Sequence, residues 1–189
     1  MQPRLVLING IPGSGKTTLA ARLKPDLGLP LLCKDDLKEF FFDTLGVSDR
    51  NESRMLGKVS SEILYILIEN YLATGRSLAI ESAFYAEFAR PAVQAVVDRY
   101  PVDVLEIYCQ TDPVVRRQRF YARVDDGSRH AGHRDGDNRL SAPEPEADLA
   151  DRYAPIGIGK LITVDTTQFD DAEYTELLGQ IQTALASRN

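Results

Sequence analysis

Cysteine and histidine are scarce in this 189-residue sequence, with two of each. There are two cysteines, Cys33 and Cys109, and neither lies in a CxxC or Cys/His spacing, so we expect neither a zinc site nor a disulfide. No apolar run approaches the roughly 20 residues needed to cross a bilayer. The apolar run near the N-terminus is short and leads straight into a glycine-rich loop, unlike a signal peptide. We therefore expect a cytoplasmic protein with no membrane partner.

Internal repeats and linker-like segments are also lacking, and the length suits one well-buried domain, so we expect a single domain over residues 1–189. Basic residues are outnumbered overall, with a net charge of −6, which argues against a long nucleic-acid footprint. The exception is residues 113–140, where seven arginines stand against four aspartates. This local basic segment indicates capture of a few phosphates.

The sequence does contain a phosphate-binding motif behind an apolar strand. The segment Gly10-Ile11-Pro12-Gly13-Ser14-Gly15-Lys16-Thr17, followed by Thr18, matches GxxxxGK[ST] at every fixed position. Gly13 and Gly15 let the loop turn its N–H groups toward an anion, and a helix beginning near Lys16 adds its N-terminal donors. In a nucleoside triphosphate complex, Lys16 would reach the β- and γ-phosphates and the Thr17 hydroxyl would coordinate Mg²⁺.

Carboxylates follow two other predicted strands. Asp35 and Asp36 come just after a strand over about 29–33 and open a helix, whereas Glu81 ends a strand over 77–81. Ligands bind α/β proteins at the carboxyl ends of their strands, so we expect a chemical role for one of the acidic pair, although one could instead cap the helix. Glu81 would hold Mg²⁺ through water or contact a second substrate; alternatively, it pairs with Lys16 or an arginine.

The basic segment is predicted to form a lid over about 113–145. A helix beginning at Pro113 carries Arg119 and Arg123 four residues apart, so both could face a polyphosphate or form a solvated surface. Residues 124–145 contain almost no apolar side chains, which is typical of a mobile loop over an active site. Arg129 and His130 in this loop are candidate contacts for a second substrate or a phosphate.

Strands that alternate with helices predict an α/β fold with a five-stranded, mainly parallel sheet flanked by helices. The first helix is expected to end at Lys24-Pro25. Polar residues Asp103 and Glu106 alternate with apolar ones in the strand over 102–109, which favours a position nearer the sheet edge.

The chain resembles the P-loop kinases of the nucleotide-kinase type, in particular the polynucleotide-kinase-like group with chloramphenicol phosphotransferases and zeta toxins, which are AAA_33-type ATP-binding proteins. The resemblance rests on residues 10–18, on Lys34-Asp35-Asp36-Leu37-Lys38, on Arg119-x-x-x-Arg123 and on the terminal strand and loop over 161–167. It implies a P-loop NTPase fold with a mobile lid.

By the same resemblance, Asp35 would accept the proton of the acceptor hydroxyl, and Lys38 stands where polynucleotide kinases usually have an arginine. Arg119 would lie against adenine and Arg123 on the phosphates, with Thr166 and Thr167 bordering the base. Polynucleotide kinases have an aspartate where this chain has Ser82, which disfavours a DNA or RNA end as substrate.

These features predict an ATP- and Mg²⁺-dependent kinase that phosphorylates a hydroxyl of a small molecule. The predicted catalytic residues are Lys16, Asp35, Arg119 and Arg123, with Asp35, Lys38, Glu81, Arg129 and His130 contacting the acceptor. Two alternatives stay open: a polynucleotide 5′-hydroxyl kinase, and an NTP-binding regulatory module without phosphoryl transfer. The sequence identifies neither the acceptor nor the oligomeric state, and the absence of an NKxD-like element mildly favours ATP over GTP.

Overall fold

A parallel sheet forms the centre of the protein, whose computed structural model describes residues 2–46, 49–135 and 144–186. Its five strands lie in the order β2-β3-β1-β4-β5. The strands are β1 (Arg4–Gly10), β2 (Leu31–Cys33), β3 (Leu78–Glu81), β4 (Asp103–Gln110) and β5 (Lys160–Asp165). The helices are α1 (Lys16–Leu27), α2 (Lys34–Leu45), α3 (Arg50–Ala73), α4 (Ala86–Arg99), α5 (Pro113–Asp125), α6 (Glu146–Arg152) and α7 (Asp171–Ala186), with a 3-10 helix over Ala131–His133. The predicted five-stranded α/β fold is confirmed.

The central strand β1 is buried on both of its faces. Leu5 and Leu7 pack with apolar residues of α3 and α4, whereas Val6 and Ile8 pack with residues of α1 and α7. Side chains alternate across a strand, so an uninterrupted apolar run fits a strand that helices cover on both sides. Because β1 is buried on both faces, the position of its carboxyl end, where the phosphate-binding loop begins, is fixed.

One local prediction was wrong, and a second was confirmed only in part. Helix α1 does not stop at Lys24-Pro25 but continues through Pro25 to Leu27, which packs against the core. Strand β4 lies between the central strand β1 and the edge strand β5, so it is nearer the edge than β1 but does not form the edge. Its polar residue Glu106 is buried because it accepts hydrogen bonds from Asn9 Nδ2 at 2.9 Å and from two backbone N–H groups of the segment before β5.

The described part of the predicted lid packs against α2 and α3. Ser53 Oγ of α3 donates a hydrogen bond of 2.6 Å to the Gly132 carbonyl, and Gly132 lies against the Phe42 ring of α2. Residues 136–143 of the predicted lid lie outside the described residues, so its mobility stays a prediction. Among the described helices, none has the length and apolar composition required to pass through a bilayer.

Candidate active site

The loop between β1 and α1 forms a backbone cradle that tolerates no side chain at two of its glycines. Gly10 and Gly13 have φ angles of 150° and 91°. A Cβ on Gly10 would lie 2.6 Å from the Cys109 carbonyl oxygen, and one on Gly13 would lie 2.8 Å from that of Arg116. The cradle is therefore wedged between β4 and α5, and Pro12 within it accepts a hydrogen bond of 3.2 Å from Arg116 Nη1.

The remaining loop residues follow in the first turn of α1. Gly15 precedes the helix with a φ of 80°, and Ser14 donates its backbone N–H to the Ile11 carbonyl at 3.0 Å. Thr17 and Thr18 are exposed, so a ligand in the cradle could contact them. The buried Lys16 Nζ lies 4.0 Å from Glu81 Oε1, too far for a hydrogen bond.

Glu81 at the end of β3 is a buried partner of this loop. It accepts a hydrogen bond of 3.2 Å from Thr17 Oγ1 and also faces Lys16. Burial raises the pKa of Glu81, and the Lys16 ammonium and the Thr17 hydroxyl oppose that rise. The ion pair with Lys16 that the sequence allowed is present, and Glu81 also contacts the hydroxyl predicted to bind Mg²⁺.

Asp35 lies in the first turn of α2, two residues past the end of β2. Neither it nor Asp36 caps the helix, since no side chain accepts a hydrogen bond at this helix end. Asp35 Oδ2 accepts a hydrogen bond of 3.1 Å from Arg129 Nη1 of the lid. Burial alone would raise the pKa of Asp35, but His133, Arg129, Lys16 and Lys34 together hold it well below its usual value. Asp35 is therefore an ionised carboxylate at neutral pH.

The sequence analysis named His130, but the structure brings the other lid histidine to Asp35. His133 Nε2 lies 2.8 Å from Glu39 Oε1 and 3.8 Å from Asp35 Oδ2. Burial, aided by the positive charges of Arg129 and two lysines of α2, lowers the pKa of His133 to about 3, so its ring is neutral at pH 7. His130 Nε2 instead lies 3.2 Å from Asp43, and its ring meets Phe42 edge to face.

The arginines of α5 point to different parts of the site. Arg119 donates hydrogen bonds of 2.8 and 2.9 Å to the carbonyls of Thr166 and Thr167, which fixes its guanidinium near Gly15. Arg123 is half-buried near Arg129, and burial followed by that neighbouring charge lowers its pKa. Sequence reasoning missed Arg116, which is buried between the Pro12 carbonyl and Glu146 of α6.

Thr166 connects the β5–α7 loop to the cradle. Its hydroxyl lies 2.5 Å from the Ser14 carbonyl oxygen and 2.7 Å from that of Gln110. Thr167 Oγ1 accepts a hydrogen bond of 2.9 Å from the Asp112 N–H at the start of α5. The loop predicted to border a base is thus attached both to the cradle and to the arginine helix.

A cavity of about 590 Å³ opens beside the cradle. Its walls come from the cradle itself, from α2 and α3, from α5, from the lid and from α6. Lys38, Arg129 and His133, the neighbours of Asp35, all line it, whereas His130 does not. The cavity falls within the range of about 300–1,000 Å³ that holds small molecules.

Comparison with known proteins identifies the family. The model described as an AAA domain, AAA_33, matches residues 5–139, more than half of the chain. The chain belongs to the AAA_33 family. This assignment confirms the P-loop kinase group that the phosphate-binding motif and the Lys34–Lys38 segment indicate. No curated protein matches the chain in sequence at a significant level.

Solved structures support the same conclusion. A protein of Chloroflexus aurantiacus, provisionally named a kinase, is 33% identical over 97% of this chain and 99% of its own, with a TM-score of 0.81. Shikimate kinase from Acinetobacter baumannii is 19% identical over 98% and 93% of the two chains, with a TM-score of 0.51. A gluconokinase from Sinorhizobium meliloti is 15% identical over 97% and 95%, with a TM-score of 0.50. The last two show the fold alone, whereas the family and the Chloroflexus aurantiacus protein support a nucleotide-binding phosphotransferase.

Proposed function

We propose that this AAA_33 protein is an ATP-dependent kinase that transfers the γ-phosphoryl group to a hydroxyl of a small molecule. The observation that carries the proposal is the position of Asp35. Its ionised carboxylate lies within the electrostatic reach of Lys16 in the cradle and beside the cavity whose walls include Lys38, Arg129 and His133. A phosphate donor and a hydroxyl acceptor would therefore meet at Asp35.

Asp35 supports proton transfer through the oxygen that Arg129 leaves free. Arg129 contacts Oδ2, whereas Oδ1 accepts no hydrogen bond from any residue that the structure describes. An acceptor hydroxyl could donate to Oδ1 while its oxygen attacks the γ-phosphorus, and the bond to the β–γ bridging oxygen breaks to release ADP. A carboxylate of low pKa is a weak base, which suits a loose transition state in which the proton leaves late.

The cradle fits a triphosphate because its lysine ammonium donates no hydrogen bond to any described residue, whereas the Thr17 hydroxyl donates a hydrogen bond of 3.2 Å to Glu81. Lys16 Nζ is buried, and among the described residues it makes an ion pair only with Glu81 at 4.0 Å and no hydrogen bond. The Thr17 hydroxyl would bind Mg²⁺, and Glu81 would hold one of the metal's waters. Bound Mg²⁺ would supply charge neutralisation on the β- and γ-oxygens.

Two arginines of α5 complete the proposed nucleotide site. Two backbone carbonyls anchor the Arg119 guanidinium, so its flat face is available for stacking on adenine at low entropic cost. Arg123 makes no ion pair among the described residues, and it would bind phosphate. Arg123 would thereby add positive charge where the transferring group becomes most negative.

The test is Asp35→Asn, with Asp36→Asn as the matched control. Both variants remove one carboxylate from the first turn of α2, but Asp36 is exposed and contacts neither Arg129 nor His133. We expect acceptor-dependent ADP release to fall by about 10²- to 10⁴-fold in Asp35→Asn alone, with nucleotide affinity retained. Unchanged turnover would exclude Asp35 as the base. ADP release that never depends on an added hydroxyl compound would instead indicate an NTP-binding module without phosphoryl transfer.

A further inference from the structure

The cavity beside Asp35 has an excess of positive charge that the protein does not neutralise. Seven of its described lining residues are lysine or arginine, and three are aspartate or glutamate. All three carboxylates already have cationic partners. Glu146 binds Arg116 and Arg117, Asp135 binds Arg129, and Glu144 binds Arg152.

Three cations of the lining are left over, and they share one wall. Lys38, Arg50 and Arg54 form no ion pair with any carboxylate in the described part of the chain. Lys38 belongs to α2, while Arg50 and Arg54, four residues apart, lie on one face of the first turns of α3. We name this set the basic wall.

Lys38 gives the clearest sign that the basic wall requires an anion. It is 9% exposed, and burial followed by the charge of Lys34 lowers its pKa, although the carboxylates of Asp35 and Asp135 oppose that fall. Both lysine side chains lie over Gly57 of α3, where a Cβ would be 3.9 Å from Lys38 Cε and 4.0 Å from Lys34 Nζ. A buried ammonium packed beside a second cation is costly unless an opposite charge reaches it.

Apolar and aromatic side chains also line the cavity, among the arginines of α5 and α6. Tyr85, Phe120, Tyr121, Leu149 and Tyr153 line it, and the rings of Tyr85 and Tyr153 meet edge to face at 5.1 Å. These side chains offer apolar surface for a ring or a carbon chain. A ligand with an anionic end and an apolar body would contact the basic wall and these side chains at once.

On the basis of the proposed function, we propose that the hydroxyl acceptor carries a carboxylate or phosphate group, which Lys38, Arg50 and Arg54 bind. The anion would fix one end of the acceptor at the basic wall, leaving its hydroxyl to meet Asp35, three residues before Lys38 on α2. Such anchoring would turn binding energy at a remote group into alignment of the reacting oxygen. A neutral alcohol would leave the basic wall unpaired and would bind weakly.

The test measures binding, so it does not depend on turnover. Phenyl phosphate, benzoate and benzyl alcohol share a ring and differ in charge, and each is titrated calorimetrically into protein saturated with ADP and Mg²⁺, which keeps the probes out of the cradle. We expect both anions to bind and benzyl alcohol to bind at least about tenfold more weakly. The anion that binds more tightly, phenyl phosphate or benzoate, indicates whether the acceptor carries a phosphate or a carboxylate.

The decisive variant is Arg50→Gln/Arg54→Gln, compared with Lys58→Gln/Arg76→Gln. The control removes two charges from exposed positions on α3 and just after it, outside the cavity lining. We expect the first variant to weaken anion binding about tenfold or more and the control to leave it unchanged. Equal binding to both variants, no binding of either anion, or equal affinity for benzyl alcohol would overturn the proposal. Loss of the kinase function would show separately, as absent acceptor-dependent ADP release in wild type.

Discussion

Protonation of His133 should detach the lid segment that holds Arg129 against Asp35. The pKa of His133 is about 3, against an ordinary value of 6.5, because burial and the charges of Arg129, Lys38 and Lys34 outweigh the opposing charge of Asp35. Between these two pH values the His133 ring is protonated in the unfolded or undocked chain but neutral when the lid is docked. The stability of the docked state is fully present above pH 6.5 and is lost as the pH falls toward 3.

The size of this effect follows from the two pKa values. At pH 5 an undocked histidine is mostly protonated and the docked His133 is not, so docking should be about 2 kcal/mol weaker than at pH 8. The raised pKa of Glu39, which contacts the same ring, acts in the opposite direction and reduces the net loss.

His133→Gln is the matched comparison, because glutamine can donate to Glu39 but does not titrate. We expect the free energy of unfolding, measured with urea, to fall between pH 8 and pH 5 more steeply in wild type than in the variant, by up to about 2 kcal/mol. The chain has two histidines, so proton NMR can follow His133 directly once a His130→Gln spectrum assigns the resonances. Equal pH slopes in the two proteins, or a His133 titration near 6.5, would refute this reasoning.

Two further predictions concern close packing and a buried carboxylate. Gly132→Ala should weaken lid docking by about 1–3 kcal/mol, because its Cβ would lie 2.8 Å from Phe42 Cγ. The control is Gly179→Ala, in a helix with nothing within 4 Å of the new atom, which should stabilise the protein by up to about 1 kcal/mol. The two variants are compared by hydrogen exchange at α2 and by thermal unfolding. Equal exchange at α2 in both variants would contradict the prediction for Gly132→Ala. Glu106→Ala should lower the free energy of unfolding by about 3–5 kcal/mol, because Asn9 and two backbone N–H groups lose their buried acceptor. A loss below about 1 kcal/mol in urea unfolding would show that water replaces the carboxylate.

The sequence was sufficient for features that depend on local pattern. The glycine-rich motif and the apolar run before it predict the strand, the loop and the start of the helix together. The alternation of strands and helices likewise predicts a parallel sheet. Both predictions use residues that are close along the chain or that repeat regularly, whereas the contacts of Gly10 and Gly13 with β4 and α5 emerge only from the fold.

Features that depend on distant partners could not be predicted in this way. The polar residue Glu106 suggested a strand near the edge, because nothing near it in sequence reveals the donors of Asn9 and of the segment before β5. The lid contains two histidines three residues apart, and only the fold shows that His133 reaches Asp35. In the sequence Arg116 is one of four arginines of α5, and only the fold shows that Glu146 of α6 lies beside it.

The phosphate-binding cradle and the helices around the cavity are held in place in different ways, and this affects how easily each can change in evolution. The cradle follows the end of β1, which pairs with β3 and β4 through backbone hydrogen bonds, so altering the cradle would disturb the sheet. The rest of the cavity wall consists mainly of helix surfaces. Side-chain pairs such as Arg152 with Glu144 hold these surfaces in part, and each exposed pair contributes about 0–1 kcal/mol to stability. New acceptors could therefore be accommodated by exchanging helix-surface residues at small thermodynamic cost, while the transfer chemistry is inherited unchanged.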